Sequence, residues 1–271
     1  MCRVLGVSRS GYYDWVKRVA GAPTGRATAD QALLLEIRAI HDQFGFYGAP
    51  RVHRELLRRR HHAGRHRVAR LMRANDIRAR RGKVKSRPRA APPSRRPEVV
   101  DLVQRRFTAS APDRLWFTDL TMIRTGQGWL RAAVILDAFN REVISWAVAN
   151  YETPATAMTA LKDAIRIRRP APGCVIHSDR GYQFTSHEWL TIAADHGLLV
   201  SIGERKSALD NATMESWFAS LKNEAIYPAG QPGTHAQAST RLLRYIHLYN
   251  HNRLHSSLGY LTPTEYAKID Q

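Results

Sequence analysis

The hydrophobic pattern changes period near residue 111. Before that point apolar residues recur at helical spacing. Leu33, Leu34, Ile37 and Ile40 share one stripe, and Val68, Leu71 and Met72 share another. Residues 1–20 predict a short helical piece with a turn at Ser8–Gly11, and Gly21–Thr28 a small-residue linker. Asp30 suits the N-cap of a helix to about Gln43, which Gly45 and Gly48 end. Pro50 suits the first turn of a second helix to about Arg60, and a third covers His66–Ala74. Beyond residue 111 the pattern alternates. Leu115–Arg124, Trp129–Phe139 and Glu142–Ala149 read as strands joined by two short connections, an antiparallel meander. A helix (Pro154–Arg168), a strand (Cys174–His177), a helix (Ser186–His196), a strand (Leu198–Ile202) and two helices (Asn211–Ile226, His235–His251) follow. A meander continued by crossover strands implies an α/β core, a mixed sheet with helices on its faces.

Charge sharpens this division. The net charge is +19. Residues 1–110 hold 26 Lys/Arg and 8 Asp/Glu, a net of +18, and residues 111–271 hold 16 and 15, a net of +1. The excess calls for an acidic partner, and its confinement to the part of the chain that carries three short helices with tight turns points to a basic helix-turn-helix-like module that binds DNA. Groove reading and plain phosphate clamping both fit. Arg78–Arg96 is rich in Lys, Arg and Pro, holds no acid, and reads as an extended linker. The expected segments are a helical piece (1–29), the basic module (30–80), a basic Pro-rich linker (81–110) and the core with its C-terminal helices (111–271). The basic stretches lack an apolar face with aromatic anchors, which argues against a membrane surface. Neither a signal sequence nor a membrane-length apolar run is evident, and the expected location is cytoplasmic, associated with the nucleoid. The two cysteines, Cys2 and Cys174, suggest no disulfide framework.

Three acids stand out in the core. Asp119 falls within a strand, in FTDLT. Asp179 follows a short strand in HSDRGYQFTS, where open α/β sheets place ligands. Glu215 lies beside the helical stripe of Met214, Trp217, Phe218 and Leu221, with Lys222 seven residues on and on the same side. Each has an ordinary structural explanation: a solvated strand residue, a turn cap, a helix-surface acid. Together they supply hard oxygen ligands for Mg²⁺, with Mn²⁺ as a possible substitute, and Lys222 would hold a phosphate nearby. Asp210 is a candidate N-cap for the Glu215 helix. Asp137, and the six tryptophans including Trp116, Trp129, Trp146 and Trp217, are expected to be structural, the tryptophans within the core. Arg180 and Gln183 fit a phosphate contact or turn stabilisation; His177, Arg253 and His255 fit packing better than chemistry.

WFTDLT, HSDRGYQFTS, DNATMESWFASLK, GWLRAAVILDAFNREVISWAV and YNHNRLHSSLGYLTP together resemble the DDE transposases of bacterial insertion sequences, in the IS-three group related to retroviral integrases. The spacing agrees: between Asp179 and Glu215 lie 215 − 179 − 1 = 35 residues, the D,D(35)E pattern. The resemblance implies an RNase H-like catalytic core, a catalytic and metal-binding triad of Asp119, Asp179 and Glu215, and 3′-OH strand transfer without a covalent protein–DNA intermediate. It implies DNA contacts from Lys222, Arg180 and the module's arginines (Arg51, Arg54, Arg65, Arg67, Arg70 and Arg73), because YGAPRVHREL and HRVARLM look like the family's basic helices. Element ends and target DNA are the implied partners, with a homo-multimer assembled on them. The start, MCRVLGVSRSGYY, resembles that group's second reading frame, so an upstream helix-turn-helix and leucine-zipper segment joined by frameshifting is a further expected partner. The zinc module of retroviral integrases is missing its cysteines here, and zinc is not expected. A DNA-binding regulator with a dead core, and a nuclease that cuts without joining, are the competing readings. The complete triad weighs against the first; the basic module and C-terminal signature weigh against the second.

Overall fold

The computed structural model describes residues 6–20, 25–80, 100–203 and 211–269. The chain divides into two compact units at Ala79 and Arg80. In the first, α1 (Arg9–Ala20) is followed by α2 (Gly25–Gln43), α3 (Ala49–Arg58) and α4 (Arg65–Ala74). The expected turn at Ser8–Gly11 is instead the start of α1: Ser8 Oγ accepts the Gly11 amide at 3.0 Å, as an N-cap does. α2 also begins earlier than expected, at Gly25, so Asp30 lies inside the helix and does not cap it. Leu33, Ile37 and Ile40 of α2 pack with Val52 and Leu56 of α3 and Val68, Leu71 and Met72 of α4, all buried. Phe44 and Tyr47 stack at 4.7 Å in the α2–α3 turn and close this small core.

The second unit holds a five-stranded sheet in the order β3-β2-β1-β4-β5. β1 (Leu115–Thr125), β2 (Gly128–Asp137) and β3 (Val143–Ala149) form the antiparallel meander; β4 (Val175–Ser178) pairs parallel to β1, and β5 (Leu199–Ile202) parallel to β4. The β1–β2 hairpin turns on Gly126 and Gln127. A side chain at Gly126 would meet the Gly233 carbonyl oxygen at 2.6 Å, so only glycine fits. Alternation divides the strand side chains between two cores. On one face Leu115, Phe117, Ile123 and Val134 meet α7 (Ala212–Leu221) and α8 (His235–His251). On the other Trp116, Ala133, Ile135 and Ile176 meet α5 (Pro154–Arg168) and α6 (His187–Asp195). A fully buried aliphatic or aromatic side chain contributes about 1.5–3 kcal/mol, so these two layers hold the sheet rigid.

Several details depart from expectation. The helix expected over Asn211–Ile226 ends at Leu221 and continues as a π-helical turn, Lys222–Ile226. Two tryptophans lie outside the core. Trp15 is exposed on α1, and Trp129 is 47% exposed near the hairpin end, where the Arg124 guanidinium sits 5.8 Å from its ring. Of the expected linker, residues 81–99 lie outside the described residues. The stretch from 100 to 110 runs along the core: Val103 is buried, Phe107 meets Phe117 edge-on at 6.0 Å, and the Leu102 amide donates to Ser201 Oγ at 2.9 Å. Asp137 is fully buried and accepts the backbone amides of Asp113 and Phe139, each at 2.9 Å, a structural role as expected.

Candidate active site

The parallel register of β1 and β4 aligns the first two acids. Its last pair is Phe117 with His177; two residues further along each strand come Asp119 and Asp179. Asp119 shares the strand face of Phe117 and Ile123, the side on which α7 packs. Its carboxylate accepts the Leu120 amide at 2.7 Å. Asp179 lies just past β4, where its Oδ1 accepts the Gly181 amide at 2.9 Å. A Cβ on Gly181 would meet the end of the Gln183 side chain and stand 2.9 Å from that same Asp179 oxygen, so a side chain here would push both aside.

The third acid arrives on α7. Asn211, at the N-cap position, reaches back to β1 and donates Nδ2–H to the Thr118 carbonyl at 3.4 Å, one residue before Asp119. Asp210, the expected cap, lies outside the described residues. Met214, Trp217, Phe218 and Leu221 are buried as the helical stripe implied, and Glu215 is exposed at its edge.

Electrostatics reveal which charges meet. Burial pushes the Asp119 carboxyl well above the usual carboxylate range; the charge of Asp179 and, less strongly, of Glu215 push the same way, against the Leu120 amide and Lys222. Asp179 is open to solvent at its surface, yet the protein mass around it raises its carboxyl too, opposed by the Gly181 amide and by His177. Burial lowers the Lys222 ammonium, and Asp119 holds it up. Asp119 is therefore the hub, and it senses both other acids and the lysine. The carboxylates outnumber the cation, which is the donor chemistry a hard divalent ion satisfies. They do not form a closed ligand set: among the described residues no three His, Cys, Asp or Glu side chains are grouped tightly enough to hold a metal ion.

Two of the neighbouring candidates, Arg180 and His177, bond within the fold. Arg180 donates Nε–H to the Gly203 carbonyl at 2.9 Å, tying the Asp179 turn to the end of β5. His177 is buried, with Nδ1 2.9 Å from Ser201 Oγ and 3.8 Å from Asp101. The Arg180-Gly181 pair reads from the sequence as a sharp turn after Asp179; Asn211 was not singled out, although an asparagine before a helical stripe is a readable turn signal. In the first unit Arg54, Arg65, Arg70 and Arg73 are exposed, whereas Arg51 is half-buried against Tyr47 and Arg67 is half-buried. Arg67 and Arg70 each donate to Asp30 at 2.6 Å.

Known proteins agree with this architecture. Residues 109–208 and 196–263 match models of an integrase core domain, and residues 28–85 match an HTH-like domain. Sheet, flanking helices and matched core define a DNA transposase/integrase, a polynucleotidyl transferase. The chain is 35% identical to the insertion element IS600 uncharacterized 31 kDa protein of Shigella sonnei, over 99% of this chain and 97% of that one. It is 32% identical to transposase InsF for insertion sequence IS3A of Escherichia coli (strain K12), over 98% and 92%. The chain thus belongs to the IS3 family of insertion-sequence transposases, and its work is DNA transposition. A chain of the simian T-cell lymphotropic virus intasome, solved with PP2A regulatory subunit B56 gamma, shares the fold at a TM-score of 0.51 and 16% identity, covering 85% of this chain and 74% of that one.

Proposed function

We propose that the chain cuts DNA at element ends and joins the freed 3′-OH to target DNA, with Asp119, Asp179 and Glu215 as the D,D(35)E triad. The observation that carries this reading is the meeting of charges at Asp119: the parallel register brings Asp179 level with it, and Glu215 and Lys222 both act on it from the α7 side. A site with this surplus of carboxylate suits Mg²⁺ or Mn²⁺. When bound, such an ion lowers the pKa of an attacking water or hydroxyl and stabilises charge on the phosphate. Asp119 and Asp179 would hold it as carboxylates, and because burial and the neighbouring acids raise the Asp119 carboxyl, acid would oppose its binding. Glu215, exposed on the first turn of α7, would supply the third carboxylate. Lys222 holds a phosphate oxygen of the DNA beside Asp119. No protein nucleophile is required; Cys174 is a poor one, its thiol pushed up to about 12 by burial and by the nearby charges of Asp113 and Asp137.

The division of labour follows the charge. The module at 30–80 and the basic stretch after it supply most of the DNA affinity through Arg51, Arg54, Arg65, Arg67, Arg70 and Arg73, and the core at 111–271 supplies the chemistry. Assembly of several copies on paired ends fits a reaction that joins separate DNA segments. An upstream segment fused by frameshifting would add end recognition.

A strand-transfer assay tests this reading. The full chain is mixed with labelled DNA of the element's terminal repeats, plasmid target and Mg²⁺. Metal-dependent joined product that disappears in Glu215→Gln is the expected result. Cleavage with no joining under any condition would replace the transposase mechanism with that of a nuclease.

A further inference from the structure

The C-terminal signature YNHNRLHSSLGYLTP surrounds one buried cation. Arg253 is 5% exposed. Its Nε and Nη2 donate to the two carboxylate oxygens of Glu224 at 2.7 and 2.6 Å, a fork matched to a carboxylate. The Tyr245 hydroxyl donates to Glu224 Oε2 at 3.0 Å. The Tyr249 ring lies 5.6 Å from the guanidinium, and His255 meets Tyr249 edge-on at 4.6 Å.

Glu224 does not belong to the signature. It lies in the π-helical turn Lys222–Ile226, the direct continuation of α7. A π turn fits one more residue into each turn than the hydrogen bonding of an α-helix prefers, and it persists where surrounding contacts hold it. Here Leu221 and Ile226 anchor it in the core on the apolar side, and the Arg253 fork grips it on the polar side. Lys222 opens that turn, two residues before Glu224, with Asp119 acting on its ammonium. Loss of the grip would let the turn relax to α-helical geometry and rotate the residues within it.

We infer that Arg253 is a positioning residue: its clamp on Glu224 holds the π turn that Lys222 opens and thereby fixes where the Lys222 side chain leaves the end of α7. The catalytic consequence rests on the proposed role of Lys222 in holding phosphate; the positional link does not. The clamp makes the C-terminal signature part of the active-site architecture.

The test uses the full chain with Arg253→Lys, which keeps the charge and loses the fork, and Tyr245→Phe, which removes one hydroxyl. Circular dichroism and melting establish that each is folded. Amine-reactive labelling in EDTA at a single pH, read by peptide mass spectrometry, reports how accessible the half-buried Lys222 is, with exposed Lys162 as internal control. Hydrogen exchange across residues 222–227 reports the turn itself, which the Tyr227 amide closes on the Lys222 carbonyl at 2.8 Å. In Arg253→Lys the labelling rate of Lys222 is expected to rise toward that of Lys162 and the turn amides to exchange faster. Strand transfer is expected to fall about 100-fold, the scale of a misplacement near 1 Å, with DNA affinity within a few-fold. Unchanged labelling and exchange in folded Arg253→Lys overturn the inference. A changed turn with undiminished strand transfer supports the clamp and overturns the phosphate role of Lys222, which Lys222→Gln examines independently. If Arg253→Lys does not fold, Tyr245→Phe decides: faster labelling and exchange support the clamp, no change overturns it.

Discussion

Two charged clusters sit on the continuous helical element from Ala212 to Ile226, and they are built on opposite principles. Around Asp119, two further carboxylates press on a buried one, and a single partly buried lysine opposes them. Around Glu224, one carboxylate receives an arginine fork and a tyrosine hydroxyl. The first cluster is unfavourable as it stands, and a cation entering it would improve it. The second is satisfied within the protein. The contrast separates what the fold keeps for a ligand from what it keeps for itself, because uncompensated buried charge lowers stability unless something outside the chain rewards it.

The strongest way to break this comparison is Asp119→Asn. Strand transfer should be abolished, DNA affinity should stay within a few-fold, and the metal-free protein should melt no lower than the wild type, because a repelled charge has been removed. A large drop in melting temperature would place Asp119 among the scaffold residues. The sign of the pH dependence is the same: a carboxyl raised by folding favours the folded state below its unfolded pKa, and that contribution is lost as pH rises through the folded value.

The reverse is expected of Arg253→Met. It strands Glu224 as a buried, unpaired charge, and the cost should be about 3–5 kcal/mol by denaturant titration. The double variant Glu224→Met with Arg253→Met should regain most of that, since neither charge is then buried alone. A double variant as unstable as the single would mean that the signature is held by shape and not by the ion pair.

Asp137 sharpens the comparison from a third position. It is buried, accepts two backbone amides, and burial raises its carboxyl to about 6 despite those bonds. Protonated Asp137 therefore favours the folded state. That contribution, about 3 kcal/mol for a carboxyl raised from 3.8 to about 6, is complete below the unfolded value and is lost as pH rises through about 6. Asp137→Asn should flatten the stability profile between those values. An unchanged slope would assign the pH dependence to the Asp119 cluster alone.

Legibility from sequence followed the same division. The order of elements along the chain, the antiparallel meander, the helix stripes and the burial of Met214, Trp217, Phe218 and Leu221 were readable because burial imposes period on apolar residues. The acids were visible through their motifs and spacing. The π turn was not, since Lys222–Ile226 carries no Pro or Gly to mark it and is held by Arg253, far along the chain. Trp129 misled for a related reason: strand alternation assigns it to a sheet face, but only the helices that happen to cover that face decide whether it is buried.

The smallest expected effect concerns the basic module. Asp30 looked like a helix cap and is instead the acceptor for two arginines expected to touch DNA: Arg70 and Arg67 each donate to it at 2.6 Å, and these hydrogen bonds hold its carboxyl below the usual range. Within the module this acid occupies the arginines much as a phosphate would. Asp30→Asn should release both guanidiniums and remove a repelling charge. Affinity for a non-specific duplex should then rise by up to about tenfold at low salt, with a steeper loss as salt is added, because more counterions are displaced. The binding isotherm at two salt concentrations checks this. Weaker binding, with an unchanged salt slope, would instead mean that Asp30 holds Arg67 and Arg70 in the orientation in which they meet DNA. The acid would then belong with Glu224, as a scaffold partner of an arginine, and not with the acids that await a ligand.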